Sequence, residues 1–197
     1  MIKILLTLCI LGQCLSSLKT DWEQLDQIVN EYINSGGFPG AALRIANKTH
    51  TLYSNNYGHI SKNTPPFSAP VVSNGTIYDI ASLSKVTGTL GCIMQLVDTG
   101  LLEIEDPVIN YIPEYDNHGK APTTIQNLLL HNAGLLPDYP GQLPSTKQEV
   151  MDFIYNCKLE SPIGTRFVYS DLSFILLGEI AERLMGAPLN DYVRNNL

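Results

Sequence analysis

Positive charge is scarce in this chain of 197 residues, where 12 Lys and Arg stand against 19 Asp and Glu and the formal net charge is −7. The sequence has no cluster of Lys and Arg and no basic helix. A surface that binds nucleic-acid phosphates requires such a cluster. The composition therefore excludes nucleic-acid binding as the function.

Cysteine and histidine are also few, with four of each. His50, His59 and His118 are scattered among loop residues without the spacing of metal ligands, and no Cys/His cluster accompanies them. The sequence accordingly predicts neither a metal site nor a cofactor. Cys92 and Cys157 could pair in an oxidising compartment, but we expect two buried thiols, because neither lies in a cysteine-dense context.

A hydrophobic run long enough to span a membrane is lacking as well. Residues 1–17 carry an early lysine, a short apolar run and a small-residue end, which is typical of a cleaved signal peptide. We predict a secreted or extracytoplasmic protein with residues 18–197 as its domain, and a buried N-terminal strand is the alternative. Sequons at Asn47 and Asn74 predict a glycoprotein only in a eukaryotic secretory pathway.

Helical and strand periodicities alternate along the chain. Helical spacing predicts an amphipathic helix from Trp22 to Gly36, and two short runs, 41–46 and 51–57, predict an antiparallel hairpin that this helix covers. Further helices are predicted from Ser82 to Gly100, after a cap at Thr123 or Thr124, over 145–157 and after Asp171. The predicted elements are thus one hairpin and several helices.

Ser82 precedes Lys85 by three residues at the start of a predicted helix, so the two side chains share one face. A serine hydroxyl attacks a carbonyl only if a base takes its proton, and a lysine can do so only if its pKa is lowered by burial or nearby cations. An apolar stripe predicts a buried helix here: Val86, Leu90, Ile93, Met94 and Val97. The alternative is a capping serine and a solvated lysine.

Two further polar segments follow. His131 comes directly after a predicted helix, where it is either a catalytic base or a structural residue at a helix end. Tyr169, Ser170 and Asp171 lie at the junction between a loop and the last long helix. For Asp171, a helix cap and a direct substrate contact are both open.

With these elements in view, the chain resembles the serine β-lactamase and penicillin-binding-protein superfamily, in particular its class C-like branch, over nearly its whole length. Ser82-x-x-Lys85 is similar to the nucleophile motif of that family, and Tyr169-Ser170-Asp171 stands where its Tyr-x-Asn motif would. The segment 129–135 also resembles the family's helix-then-turn segment.

The resemblance implies an α+β fold, with a helix-flanked antiparallel sheet and a helical subdomain, and an acyl-enzyme on Ser82. Lys85 and Tyr169 would share the proton transfers, with either as the base. A small molecule or peptide is the expected partner. Asp171 departs from the family's Asn, and because an ionised Asp only accepts hydrogen bonds, we expect ester or peptide substrates rather than β-lactams.

The family's third motif, Lys or His followed by Thr or Ser and then Gly, does not follow Asp171. Residues 85–88 contain the residue types of this third motif, but with one additional residue between them, and they lie inside a predicted helix. We therefore expect a fragment of a longer hydrolase, with an incomplete sheet and no activity by itself. The alternatives are a non-catalytic relative kept for binding or assembly, and a helical binding protein with coincidental motifs.

Overall fold

The computed structural model describes residues 22–62, 69–142 and 146–196. The predicted signal peptide lies outside these residues. No helix in the described part of the chain is both long and apolar enough to cross a membrane. The chain divides into two compact units, Met1–Asp79 and Ile80–Leu197.

The first unit pairs one helix with a hairpin. Helix α1 spans 22–34, and strands β1 (Gly40–Ala46) and β2 (Thr51–Gly58) pair antiparallel, as the sequence predicts. Gly58 ends β2 with φ of +63°, and a Cβ added there would lie 2.4 Å from the carbonyl oxygen of Pro39. Only glycine fits this close approach of two backbones.

A polar network joins α1 to β2. Tyr57 donates to Asp26 Oδ1 at 2.5 Å, Asn55 donates to the same oxygen at 3.1 Å, and Tyr53 also donates to it. These donors hold the pKa of Asp26 below its usual value. Trp22 stacks on Tyr53 with ring centroids 4.9 Å apart. The predicted packing of the first helix on the hairpin is therefore confirmed.

The second unit is helical. Its helices are α2 (Leu90–Asp98), α3 (Ile125–Leu129), α4 (Lys147–Asn156), α5 (Asp171–Met185) and α6 (Leu189–Asn196). A π-helical turn, Lys85–Thr89, leads directly into α2. Of the two predicted caps for α3, Thr124 is the one used, since its hydroxyl accepts from the backbone N–H of Asn127.

The core of this unit forms around α5. Its inward residues recur at helical spacing and are all fully buried: Leu172, Leu176, Leu177 and Ile180. Each such side chain contributes about 1.5–3 kcal/mol by leaving water. Cys92 and Cys157 are both buried free cysteines, as expected.

The predicted burial of the helix after Ser82 is wrong on one side. Ile93 is 1% exposed, but Val86 is 53% and Met94 63% exposed. The apolar residues of this segment lie on two sides of the helix. The core around α5 covers only the side that carries Cys92 and Leu96. The desolvation of Lys85 therefore does not follow from burial of the helix as a whole.

Candidate active site

Ser82 stands at a strained turn. The residue before it, Ala81, has φ of 45°, the left-handed region that residues with a Cβ rarely occupy. The backbone N–H of Lys85 then bonds to the carbonyl of Ser82 at 3.1 Å, closing a tight turn. This turn brings Lys85 Nζ within 3.2 Å of Ser82 Oγ, so the predicted shared face is real.

Lys85 is the central charge of the site. Its ammonium lies 2.8 Å from Asp171 Oδ1 and 4.9 Å from the centre of the Tyr169 ring. Burial lowers the pKa of Lys85, but the hydrogen bonds with Asp171 and Tyr169 outweigh burial and leave that pKa raised. Lys85 therefore stays an ammonium ion at neutral pH, which differs from the lowered pKa that a lysine base would need.

Tyr169 has the opposite shift. Its hydrogen bond to Lys85, followed by one to Ser82, lowers the pKa of its phenol below the ordinary value near 10. The residue is 45% exposed, so its phenolate is also partly solvated. Of the two groups close to Ser82, the tyrosine is thus the one whose pKa is shifted in the direction that a base needs.

Asp171 is the first residue of α5, and Ser170 rather than Asp171 caps that helix, through a bond from the N–H of Ser173 to the Ser170 hydroxyl at 3.3 Å. The Asp171 carboxylate is thereby free to pair with Lys85. The side chain is 43% exposed, so it also reaches solvent beside the site.

A cleft of about 430 Å³ opens next to these residues, and Lys85, Asp171 and Phe174 are among its lining residues. Its size suits a small ligand or the end of a peptide. In the part of the chain that the structure describes, no group of three His, Cys, Asp or Glu side chains could hold a metal ion.

His131 lies beside Tyr169, with ring centroids 4.6 Å apart. Its Nδ1 accepts a hydrogen bond from the backbone N–H of Ser170 at 3.0 Å. The sequence singles out His131 but gives no sign of this contact, because the two residues are 39 positions apart. All the predicted site residues, Ser82, Lys85, Tyr169 and Asp171, thus lie in one cluster within the second unit.

Residues 25–197 match the family model described as Beta-lactamase. A protein of Escherichia coli strain K12 named "Putative D-alanyl-D-alanine carboxypeptidase" is 30% identical over 191 residues, which cover 88% of this chain and 44% of that relative.

Solved structures give the same fold. The octameric penicillin-binding protein homologue from Pyrococcus abyssi has a TM-score of 0.74 at 24% identity, over 90% of this chain and 42% of that one. A class C beta-lactamase has a TM-score of 0.73 at 25% identity, over 91% of this chain and 48% of that one. The predicted α+β fold is confirmed, and the chain spans less than half the length of these proteins.

Proposed function

Because the chain belongs to the beta-lactamase family, we propose that the protein is a serine hydrolase that forms an acyl-enzyme on Ser82. Its substrates are esters, amides or D-amino-acid peptides. The observation that carries the proposal is the position of the Lys85 ammonium, 3.2 Å from Ser82 Oγ and 4.9 Å from the Tyr169 ring centre. One cation thus stabilises the basic form of the tyrosine beside the nucleophile.

In the proposed first step, the Tyr169 phenolate takes the proton of Ser82 Oγ as that oxygen attacks the carbonyl carbon of the substrate. The carbonyl oxygen becomes an oxyanion, for which the backbone N–H of Ser82 is one donor. When the bond to the leaving group breaks, the Tyr169 phenol returns its proton to the departing alcohol or amine. Water hydrolyses the acyl-enzyme by the same transfers in reverse order.

Lys85 acts as a fixed cation in this scheme and not as the base. Its raised pKa keeps it charged throughout, and the lowered pKa of Tyr169 depends first on the hydrogen bond to Lys85. The alternative left open by the sequence, in which Lys85 takes the proton, would need a lysine pKa near neutrality. The 2.8 Å pair with Asp171 opposes such a shift.

Asp171 favours ester and peptide substrates over β-lactams. Its carboxylate accepts from Lys85 but cannot donate to a substrate carbonyl, as an Asn amide could. A D-amino-acid peptide is favoured among these by the name of the Escherichia coli relative.

Export is also part of the proposal, because residues 1–17 have the pattern of a signal peptide. Sequencing the N-terminus of the protein recovered outside the cytoplasm tests it. A mature chain that still begins with Met1 would contradict export by cleavage.

The test of the acyl-enzyme uses the longest natural form of the protein, because this chain spans 44% of its relative. A fluorophosphonate or a labelled penicillin is added, and the adduct is mapped by mass spectrometry. We expect the label on Ser82, its loss in Ser82→Ala, and its retention in Ser84→Ala, which removes the serine two positions along the chain. A non-catalytic relative would carry no label on Ser82.

A further inference from the structure

His131 holds the chain on both sides of Tyr169. Its carbonyl oxygen accepts from the N–H of Val168 at 2.8 Å, and its Nδ1 accepts from the N–H of Ser170 at 3.0 Å. The residues immediately before and after Tyr169 are therefore both bonded to the same histidine. This fixes the backbone from which the tyrosine side chain projects.

The imidazole ring also contacts the tyrosine ring itself. The two ring centres are 4.6 Å apart with an interplanar angle of 37°. Phe174, from the first turns of α5, lies 5.1 Å from the imidazole, and Phe167 meets it edge-on at 5.9 Å. Three aromatic rings thus contact the imidazole of His131, and the contact with Tyr169 restricts the tilt of the phenol.

The backbone of His131 has an unusual conformation that these contacts stabilise. Its φ is 54°, in the left-handed region. Non-glycine residues adopt that conformation at a cost, and they keep it where surrounding contacts hold it. The bonds to Val168 and Ser170 are such contacts.

The hydrogen-bonding pattern sets the protonation of the imidazole. Because Nδ1 accepts, the ring is neutral with its proton on Nε2. The charged groups that act on it are Lys85 and Asp171. Burial and the nearby Lys85 lower the pKa of His131, and Asp171 raises it less, so the acceptor form persists at neutral pH.

From this geometry we propose that His131 is a positioning residue, which holds the Tyr169 phenol against Lys85 and Ser82 and takes no part in proton transfer. The inference rests on the proposed function for its catalytic consequence, but the position and pKa of Tyr169 can be measured without activity. A base is excluded because the lone pair of Nδ1 is engaged by Ser170 and Nε2 carries the proton.

Two substitutions separate the roles of the histidine. His131→Asn keeps an acceptor atom near the place of Nδ1, and Asn tolerates a positive φ. His131→Gly keeps the backbone conformation but removes both the acceptor and the ring. His118→Gly is the matched control, since His118 has φ of 51° and is exposed.

The readout is the pKa of Tyr169, followed by NMR of protein labelled at tyrosine Cζ and assigned with Tyr169→Phe. We expect His131→Gly to raise this pKa, because the phenol moves away from Lys85, and to slow labelling of Ser82 at pH 7 about tenfold. His131→Asn, which keeps the acceptor but not the ring, should shift the Tyr169 pKa and the labelling rate less than His131→Gly does. His118→Gly should change neither.

An unmoved Tyr169 pKa in His131→Gly would overturn the inference, whatever happens to the rate. A wild-type protein that does not label on Ser82, yet shows the pKa shift in His131→Gly, would contradict the proposed function and leave the positioning role supported.

The wild-type protein gives a second measurement that needs no variant to fold. Imidazole ¹⁵N NMR at pH 7 should show His131 with an unprotonated Nδ1 and a protonated Nε2. The opposite tautomer would overturn the inference, because Nδ1 could then not accept from Ser170.

Discussion

Asp171→Asn tests how the charge beside Lys85 sets the substrate class. The substitution keeps an oxygen that accepts from Lys85 and adds an NH₂ that donates to a substrate carbonyl. It also removes one negative charge 2.8 Å from the Lys85 ammonium. Because Asp171 raises the pKa of Tyr169, its neutralisation should lower that pKa further.

The size of the effect follows from distance and exposure. At the 2.8 Å separation of Lys85 and Asp171, Coulomb's law gives about 1.5 kcal/mol in water and about 6 kcal/mol at an effective dielectric constant of about 20. Since the Asp171 side chain is 43% exposed, the pair lies near the solvated limit, at about 1 kcal/mol. A new hydrogen bond to a substrate carbonyl adds a similar amount, about 1 kcal/mol, which is about fivefold in rate.

The assay compares the rate constants for acylation of Ser82 by a labelled penicillin and by a simple activated ester, measured on the same preparations. In Asp171→Asn the ratio of penicillin to ester should rise about fivefold, and the rising limb of the ester pH profile should move to lower pH. Asp116→Asn removes one charge at an exposed position and should change neither quantity. An unchanged or lower ratio in Asp171→Asn would refute the role given to the carboxylate.

The remaining predictions concern the base, its cation and a buried lysine. Tyr169→Phe should lower kcat/KM for an ester at pH 7 by about 10²–10⁴-fold and abolish the rising limb of the ester pH profile. A rising limb that remains in this variant would contradict Tyr169 as the base. Lys85→Met should move that limb to higher pH, because the pKa of Tyr169 then returns toward about 10; a limb that stays in place would show that the cation is not its cause. Lys120→Met should reduce the free energy of unfolding by about 3 kcal/mol in urea melts, because buried carbonyl oxygens lose their donor. The exposed control Lys158→Met should change that free energy by less than about 0.5 kcal/mol. Equal effects of the two substitutions would refute the stabilising role of Lys120.

Lys120 shows what sequence patterns do not reveal. It is fully buried, and its Nζ donates to the carbonyls of Ile154, Tyr155 and Cys157 at 2.9, 2.7 and 2.9 Å. Burial lowers its pKa, while the three acceptors match the three protons of an ammonium group. A lysine is rarely buried, so its identity alone predicts exposure. Only the fold places its end against the last turn of α4.

The candidate site was partly predictable from the sequence. The spacing of Ser82 and Lys85 correctly predicts two side chains on one face, because local helical geometry fixes it. The charge state of Lys85 was not accessible, since it depends on Asp171, which lies 86 positions further along the chain. The bonds of His131 to the residues around Tyr169 likewise arise from tertiary contacts.

The exposed side of the π-helical turn and of α2 was not predictable from the pattern of apolar residues. Apolar residues at helical spacing predict a buried helix, yet the side chains of Val86 and Met94 are more than half exposed. The pattern identifies which residues can be buried but not how many sides of a helix have a partner. The environment of Lys85 therefore depends on its neighbours Tyr169 and Asp171 and not on the burial of the helix that follows it.

The most direct test of the account is the pH dependence of Ser82 acylation by a fluorophosphonate in the longest natural form of the protein. The adduct is mapped by mass spectrometry and its rate is followed in wild type and Tyr169→Phe. We predict a single adduct on Ser82, with a rate that rises as Tyr169 ionises and loses that dependence in Tyr169→Phe. An adduct on another residue, or a pH dependence that survives in Tyr169→Phe, would contradict it.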